Sequence, residues 1–460
     1  MAGRGSGTAV RDPQEQVRAC TGLVTEEMHR TRISSQALRS LIRSLAAALA
    51  LGAGAAAADA LPQADAVHAA LLETPAVQAA LAGRAAARAR GEALDVGSYE
   101  FELDAVGQRR DVRREGDYGE WEAGISRRLR LPGKAALDRE LGALGNDVAE
   151  LGIADAFHGA ALELLDGWFG WLDAASAVAA TAIARDRLAE ERAAVEKRLA
   201  RGDAARLDLD LAESALAGAE AALAEARAVA AERSAALGAR YPGLPLPFAP
   251  PPIPDPEPPA TDAAALAQQI IARSHEIAIA EGRYRQALTR AERARRDRLP
   301  DPALGIRTLS ERGGDETAVG LTLNLPLGGR YRAAEANALA ADAGRAGAEL
   351  DAVRRQVVAG ARAVTARMPG SLAAWQAARR AAEAAGAHAT RARRGYQLGE
   401  IDLFTLLAAE RTAQDARRAE IAARIAAHGA IGRVRVDAHE LWAYHPEAGG
   451  HDRDPTPISP

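Results

Sequence analysis

The chain has 460 residues, a net charge of -4, and 48% hydrophobic residues of which few are aromatic (4% of the chain). That charge is too mild to argue for nucleic-acid binding, and a single cysteine, Cys20, can form neither an internal disulfide nor a cysteine metal cluster. With alanine supplying much of the apolar content, periodic stretches read as long, closely approaching helices rather than a bulky globular core.

From Met28 the sequence has a basic start (Arg30, Arg32, Arg39, Arg43), an apolar core from Leu45 to Ala57, and small residues around Ala56–Ala60. This is the pattern of a secretory signal peptide. Residues 1–27 lack it, so the expected start is Met28, which would leave Cys20 outside the protein. No cysteine follows the signal to carry a lipid anchor. No later apolar run is long enough and free enough of charge to suggest a transmembrane helix.

Helical periodicity runs from about Gln63 to Ala93. The period then changes to two. In SYEFELDAV, Tyr99, Phe101, Leu103 and Ala105 alternate with Ser98, Glu100, Glu102 and Asp104. A charged connector, GQRRDVRREGD, leads to a second alternating stretch. There Trp121, Ala123, Ile125, Leu129 and Leu131 alternate with Glu120, Glu122, Gly124, Ser126 and Arg128. Two antiparallel strands are predicted, each with one apolar and one polar face. Helix resumes near Lys134 and continues to Leu199, long enough to span roughly 100 Å and too long for a compact domain. After Gly202, leucines at 209, 216, 223 and 237 recur at sevens, the seam of a coiled coil. The proline-rich stretch Tyr241–Asp262 can be neither helix nor central strand and reads as a polyproline-type connector.

The second half repeats the plan. A helix is predicted from about Ala263 to Arg298. Two strands and a tight turn follow, with Val319, Leu321, Leu323 and Leu325 on one face and Ala318, Gly320, Thr322 and Asn324 on the other. A long helix from Arg330, expected to break at Pro369–Gly370, reaches Gly399, and a last helix ends near His439. The two tips align without a gap: Gly202 falls on Gly399, Leu209 on Leu406, Glu213 on Glu410. In each, a glycine suited to the left-handed turn is followed by an acid, Asp203 or Glu400, expected at the start of the next helix. The organisation is therefore read as an N-terminal extension and signal (1–58), a first structural repeat (59–240), a connector (241–262), a second repeat (263–445) and a flexible tail (446–460).

Four strands with clean alternation, and no globular layer to cover their apolar faces, form the pattern of a membrane β-barrel in a secreted protein. A barrel must close, since open edges do not survive in lipid. Two chains would give eight strands, whose interior fills with side chains; three would give twelve and a water-filled lumen. The expected fold is thus mainly α, a long helical coiled-coil barrel, with four strands per chain in a shared 12-stranded barrel.

On the segments YQLGEIDLFTLLAAER and RLPDPALGI…GLTLNLPLGGR, and on the doubled plan of helix, strand pair, long helix, glycine tip and returning helix, the chain resembles the TolC-like outer membrane efflux proteins from about Gln63 to Trp442. The resemblance implies a homotrimer with its barrel in outer-membrane lipid and a helical tunnel in the periplasm. It also implies a periplasmic adaptor (membrane fusion protein) docking at the tips Gly202, Asp203, Gly399 and Glu400, and an inner-membrane pump of the RND type. It leans towards the heavy-metal branch. The family commonly opens the helix before each strand pair with Asn-Pro or His-Pro; here the stretches are TPAVQ at Thr74 and SHEIA at Ser274.

On the polar strand faces Glu100, Glu102, Asp104, Glu120 and Glu122 are expected to line the lumen. Tripled, they would make acidic rings that favour cations, although an ordinary solvated lining is the plainer reading. No catalytic, cofactor-binding or metal-binding residues are assigned. GGRYRAAEAN lacks the spacing and lysine of a phosphate loop. His158, His275, His388 and His428 are scattered, while His439, His445 and His451 cluster loosely near the C-terminus, where a flexible tail is a plainer reading than metal capture. WFGW at Trp168–Trp171 reads as packing at the tunnel waist, with a substrate-binding aromatic patch as the alternative. The competing class is a secreted coiled-coil adaptor, but adaptors carry one helical hairpin and small all-β domains.

Overall fold

The computed structural model describes residues 60–445; the expected signal peptide, Cys20 and the tail lie outside the described residues. Two helices open it, α1 (Ala64–Leu72) and α2 (Pro75–Val96). A hairpin follows, β1 (Phe101–Val112) and β2 (Gly116–Arg128). Then come α3 (Lys134–Ala200, 67 residues) and α4 (Arg206–Arg240, 35 residues). The order returns in the second half as α5 (Ala263–Arg273), α6 (His275–Arg296), β3 (Ala303–Glu311) and β4 (Glu316–Asn324). It closes with α7 (Arg330–Leu398, 69 residues) and α8 (Leu403–Asp437, 35 residues). Each long helix is covered by two shorter ones: α2 and α4 lie along α3, α6 and α8 along α7. Among the described residues no helix is long and apolar enough to cross a membrane.

Three local expectations are corrected. The first helix of each repeat is two helices. Pro75 disfavours helical backbone at Thr74, whose ψ is 142°. At the equivalent point Ser274 leaves the helix, and its hydroxyl accepts the Ile277 amide at 3.2 Å as an N-cap. Conversely, α7 runs through Pro369 unbroken. Met368, Leu372 and Trp375 on the flanking turns are buried against Leu266, Ala427 and Val434, so packing holds a helix that proline alone would weaken. The charged stretch Gly107–Val112 is strand rather than connector, and the turn is Arg113–Glu115 with Arg114 at φ 84°. Its charges pair across the hairpin, as in Arg110–Glu120 at 2.8 Å.

The connector has no helix or strand, as expected, but it is strapped down. The Tyr241 hydroxyl donates to the Ala160 carbonyl at 3.1 Å, and Arg424 donates to the Ile253 carbonyl at 3.0 Å. Beneath it lies the largest apolar core, where Trp168, Phe169 and Trp171 are buried with Phe157, Leu164 and Leu172. The Trp168 indole donates to the Ala60 carbonyl at 2.7 Å. In WFGW, Trp168, Phe169 and Trp171 pack into this core.

The sheet has the order β1-β2-β3-β4, antiparallel throughout. One row crosses all four strands: Leu103 pairs with Ile125, Ile125 with Ile306, Ile306 with Leu321. Strand β2 of the first repeat thus joins β3 of the second directly. Where strands pass into helices, the repeats are locked by a charge network. Lys134, 2% exposed, reaches the Leu299 carbonyl at 2.8 Å, Asp301 at 2.9 Å and Asp297 at 2.8 Å. Asp138 on α3 takes Arg293 of α6 at 2.7 Å and Arg130 at 3.5 Å. Asp301 also accepts from the Tyr99 hydroxyl and the Leu131 amide. Tyr99, expected among the lipid-facing residues, precedes β1 and serves this network instead.

Burial alone would raise the Asp301 carboxyl, but the donors Lys134, Leu131 and Tyr99 outweigh it and hold it below the ordinary carboxylate range. At Asp297 burial is likewise outweighed by Arg293 and Lys134. Stability from these lowered carboxylates is present above their unfolded value, about 4, and is lost as pH falls through the lower folded values. Lys134→Met, which leaves Asp301 without a cationic partner and Asp297 with Arg293 alone, is predicted to cost about 3 kcal/mol near neutral pH. Thermal melts of detergent-solubilised protein check this: the variant melts lower at neutral pH, and the gap narrows below about pH 4. Equal melting temperatures at neutral pH would contradict the network's role.

Candidate functional site

Each long helix ends in a turn of the same design. Gly202 has φ 82° and Gly399 has φ 75°. The Asp203 amide donates to the Arg198 carbonyl and the Gly202 amide to Leu199. At the aligned positions, Glu400 donates to Gly395 and Gly399 to Tyr396. These paired bonds close a helix around a left-handed glycine and satisfy its last carbonyls. The two acids stand in the turns, not at the helix starts expected for them: α4 begins at Arg206 and α8 at Leu403. Capping falls to other residues. Asp402 accepts the Thr405 amide at 2.8 Å, and Asp208 accepts the Ala205 amide at 3.0 Å. The Thr405 bonds hold the Asp402 carboxyl below its ordinary range.

The two tips form one body. Leu209 and Ala212 of the first repeat are buried with Ala392, Leu403, Leu406 and Ala409 of the second. Arg198 donates to the Tyr396 hydroxyl at 2.8 Å, bridging the repeats. Beside it Arg393 holds Glu410, with Nε at 3.0 Å. Burial raises the Glu191 carboxyl, and the nearby Glu410 adds to the effect.

At the other end lies the strand wall. Cross-strand pairing places Glu102, Asp104, Glu120 and Glu122 on one face: Glu102 opposes Ser126, Asp104 opposes Gly124, and Glu120 and Glu122 oppose Gln108 and Val106. Glu100 precedes β1 and is not a strand residue. The opposite face carries Phe101, Leu103, Trp121, Ile125, Leu304, Ile306, Val319, Leu321 and Leu323, every one exposed. The polar face is less purely acidic than its sequence suggests. Glu120, only 6% exposed, is held by Arg110 and by Gln108 at 2.9 Å. Glu122 pairs with Arg307 at 3.2 Å. Among the described residues Glu102 and Asp104 have no cationic partner. Arg110 was hidden in the stretch read as connector. The signal for Arg307 was present, since it alternates with Ile306 in the β3 sequence. The structure also gathers His158 and His275, which look scattered in sequence, with His439 of the loose C-terminal cluster.

This architecture is found in solved outer-membrane channels. The chain is similar to the outer-membrane channel OprN (TM-score 0.70, 19% identity, covering 82% of this chain and 90% of that one). It is similar to the Campylobacter jejuni CmeC outer membrane channel (0.68, 15% identity, 82% and 85%) and to CusC (0.67, 15% identity, 82% and 92%). No protein-family model and no curated protein sequence matches the chain. Its fold is the TolC-like fold of these outer-membrane channels.

Around Gly399 an added Cβ would meet no atom within 4 Å, so a substitution there costs only the left-handed backbone, about 1–2 kcal/mol. Gly399→Ala is therefore expected to open the tip locally, with amides of residues 399–402 exchanging about tenfold faster. Protection in the sheet should not change. Hydrogen exchange by mass spectrometry reads both; unaltered exchange at the tip would show that the glycine is not needed for the turn.

Proposed function

We propose that the chain is the outer-membrane channel subunit of a tripartite efflux system. The observation that carries this reading is the exposed apolar ladder. Leu103 is 78% exposed and Leu321 87% in a sheet whose edges, β1 and β4, are both unpaired among the described residues. Such a face is stable in hydrocarbon, and such edges require closure there. Three copies give 12 strands, a polar lumen and a continuous helical tunnel below it. The barrel lies in the outer membrane and the tunnel in the periplasm. The tips Gly202–Asp203 and Gly399–Glu400 meet a periplasmic adaptor, which delivers substrate from an inner-membrane pump. The chain acts as a conduit and not as an enzyme.

The finer reading is an RND-type pump and cationic cargo, metal ions among them. It is supported by the carboxylates on the polar strand face and by the resemblance in sequence pattern. A secreted adaptor fits less well, because the chain carries two helical hairpins and its strands form one amphipathic sheet.

The charge pairing sharpens the electrical prediction. Glu102→Gln with Asp104→Asn removes unpaired lumen acids and should abolish most cation preference in planar bilayers at low salt, where screening is weakest. Glu120→Gln with Glu122→Gln removes the same number of negative charges but leaves Arg110 and Arg307 unpaired, and should weaken the cation preference by a similar amount. Identical reversal potentials for wild type and both variants would show that this face does not line the conducting path.

A further inference from the structure

Three histidines from three separate elements meet beside the aromatic core. His158 lies on α3 of the first repeat. His275 is the first residue of α6, and His439 follows the end of α8. The ring centres are 4.5 Å apart for His275–His439, 5.4 Å for His158–His439 and 6.5 Å for His158–His275. Around them stand Asp437, with an oxygen 3.3 Å from His158 Nε2, and the carboxylates of Asp155 and Glu276.

The backbone at His439 gives a second indication. Its φ is 56°. The His439 amide donates to Val436 and the Glu440 amide to Arg435, the same closure that uses glycine at Gly202 and Gly399. A histidine here takes a left-handed conformation that glycine adopts without penalty. Retaining an imidazole at such a position, aimed at two others, is understandable if the ring is used. Neither His275 nor His439 makes a side-chain hydrogen bond among the described residues.

We propose that His158, His275 and His439 form a binding site for one borderline divalent transition metal ion, of the Zn2+ or Co2+ type, with Asp437 or a water as fourth ligand. Imidazole is the ligand such ions favour. With a metal–nitrogen bond of about 2.0–2.1 Å, three tetrahedrally arranged imidazoles place their ring centres about 5 Å apart. The observed separations bracket that spacing. Among the described residues no group of three His, Cys, Asp or Glu side chains is arranged to hold a metal ion; the His275 and His439 rings, now stacked at 16°, must rotate out of their stack to bind. An ion here would staple α3 of one repeat to α6 and to the end of α8 in the other, away from the strand face discussed above and independently of what the channel carries.

The test uses the full-length protein purified in detergent and stripped with chelator, with Zn2+ and Co2+ as probes. Equilibrium dialysis should find one ion per chain, and the melting temperature should rise with ion concentration. Co2+ should give the intense visible bands of a tetrahedral nitrogen-rich site, and uptake should weaken on acidification as protons compete. His439→Gly is the decisive variant, because glycine suits that backbone: it should melt no lower than wild type without metal, yet bind at least tenfold more weakly. His275→Gln should also lose affinity, whereas His388→Ala should leave it unchanged. No uptake by wild type would overturn the proposal. So would uptake that survives His439→Gly and His275→Gln, or that disappears only when His445 and His451 are replaced.

Discussion

Backbone hydrogen bonding along the two free edges of the sheet constrains everything attached to it. β1 and β4 each present a row of amides and carbonyls with no partner among the described residues, while the face between them is apolar and exposed from Phe101 to Leu323. In water that combination would aggregate. In lipid it is stable only if each edge finds another edge, since an unsatisfied peptide group in hydrocarbon costs several kcal/mol. Closure with identical copies satisfies every edge at once. On the channel reading proposed above, the helices attached to the strands inherit the symmetry that closure imposes, and a tunnel follows from the barrel.

The strand-to-helix junction converts that constraint into a continuous wall. β2 and β3 belong to different repeats but pair directly, so the helices leaving them must be held at a fixed spacing. Lys134, Asp138, Arg293, Asp297 and Asp301 do this with charge rather than apolar bulk. A mostly buried network of this kind is a weak source of net stability but a strong source of specificity, because any other arrangement leaves a charge unpaired. At the far end the Arg198–Tyr396 bond and the Leu209–Leu406 cluster join the repeats again. The proline-rich connector, held by Arg424 and Tyr241, ties them at the waist.

Much of this was legible in the residues because its signals are local. Alternation at Phe101–Ala105 and Val319–Leu323 survives as strand, and the gapless alignment of Gly202 with Gly399 survives as two identical turns. What was not legible depends on partners distant in sequence. Gly107–Val112 looked like a loop because its arginines gain value only opposite Glu120 and Asp117. The break expected at Pro369 fails because Leu266 and Val434 pack beside it. The acids of the polar strand face looked unopposed because Arg307 comes from the other repeat. The histidine cluster needs three elements to be folded before it exists.

The account stands on closure between β1 of one chain and β4 of the next. Cysteine cross-linking in native outer membranes measures it directly, in a Cys20→Ser background. Ala105→Cys in β1 would be combined in turn with Thr317→Cys, Val319→Cys and Leu321→Cys in β4, and oxidised, since a disulfide forms only where the Cα atoms lie within about 7 Å. The account predicts that at least one pairing yields a covalent ladder ending at three chains. Bonds formed only within a single chain, or ladders that continue past three, would contradict it.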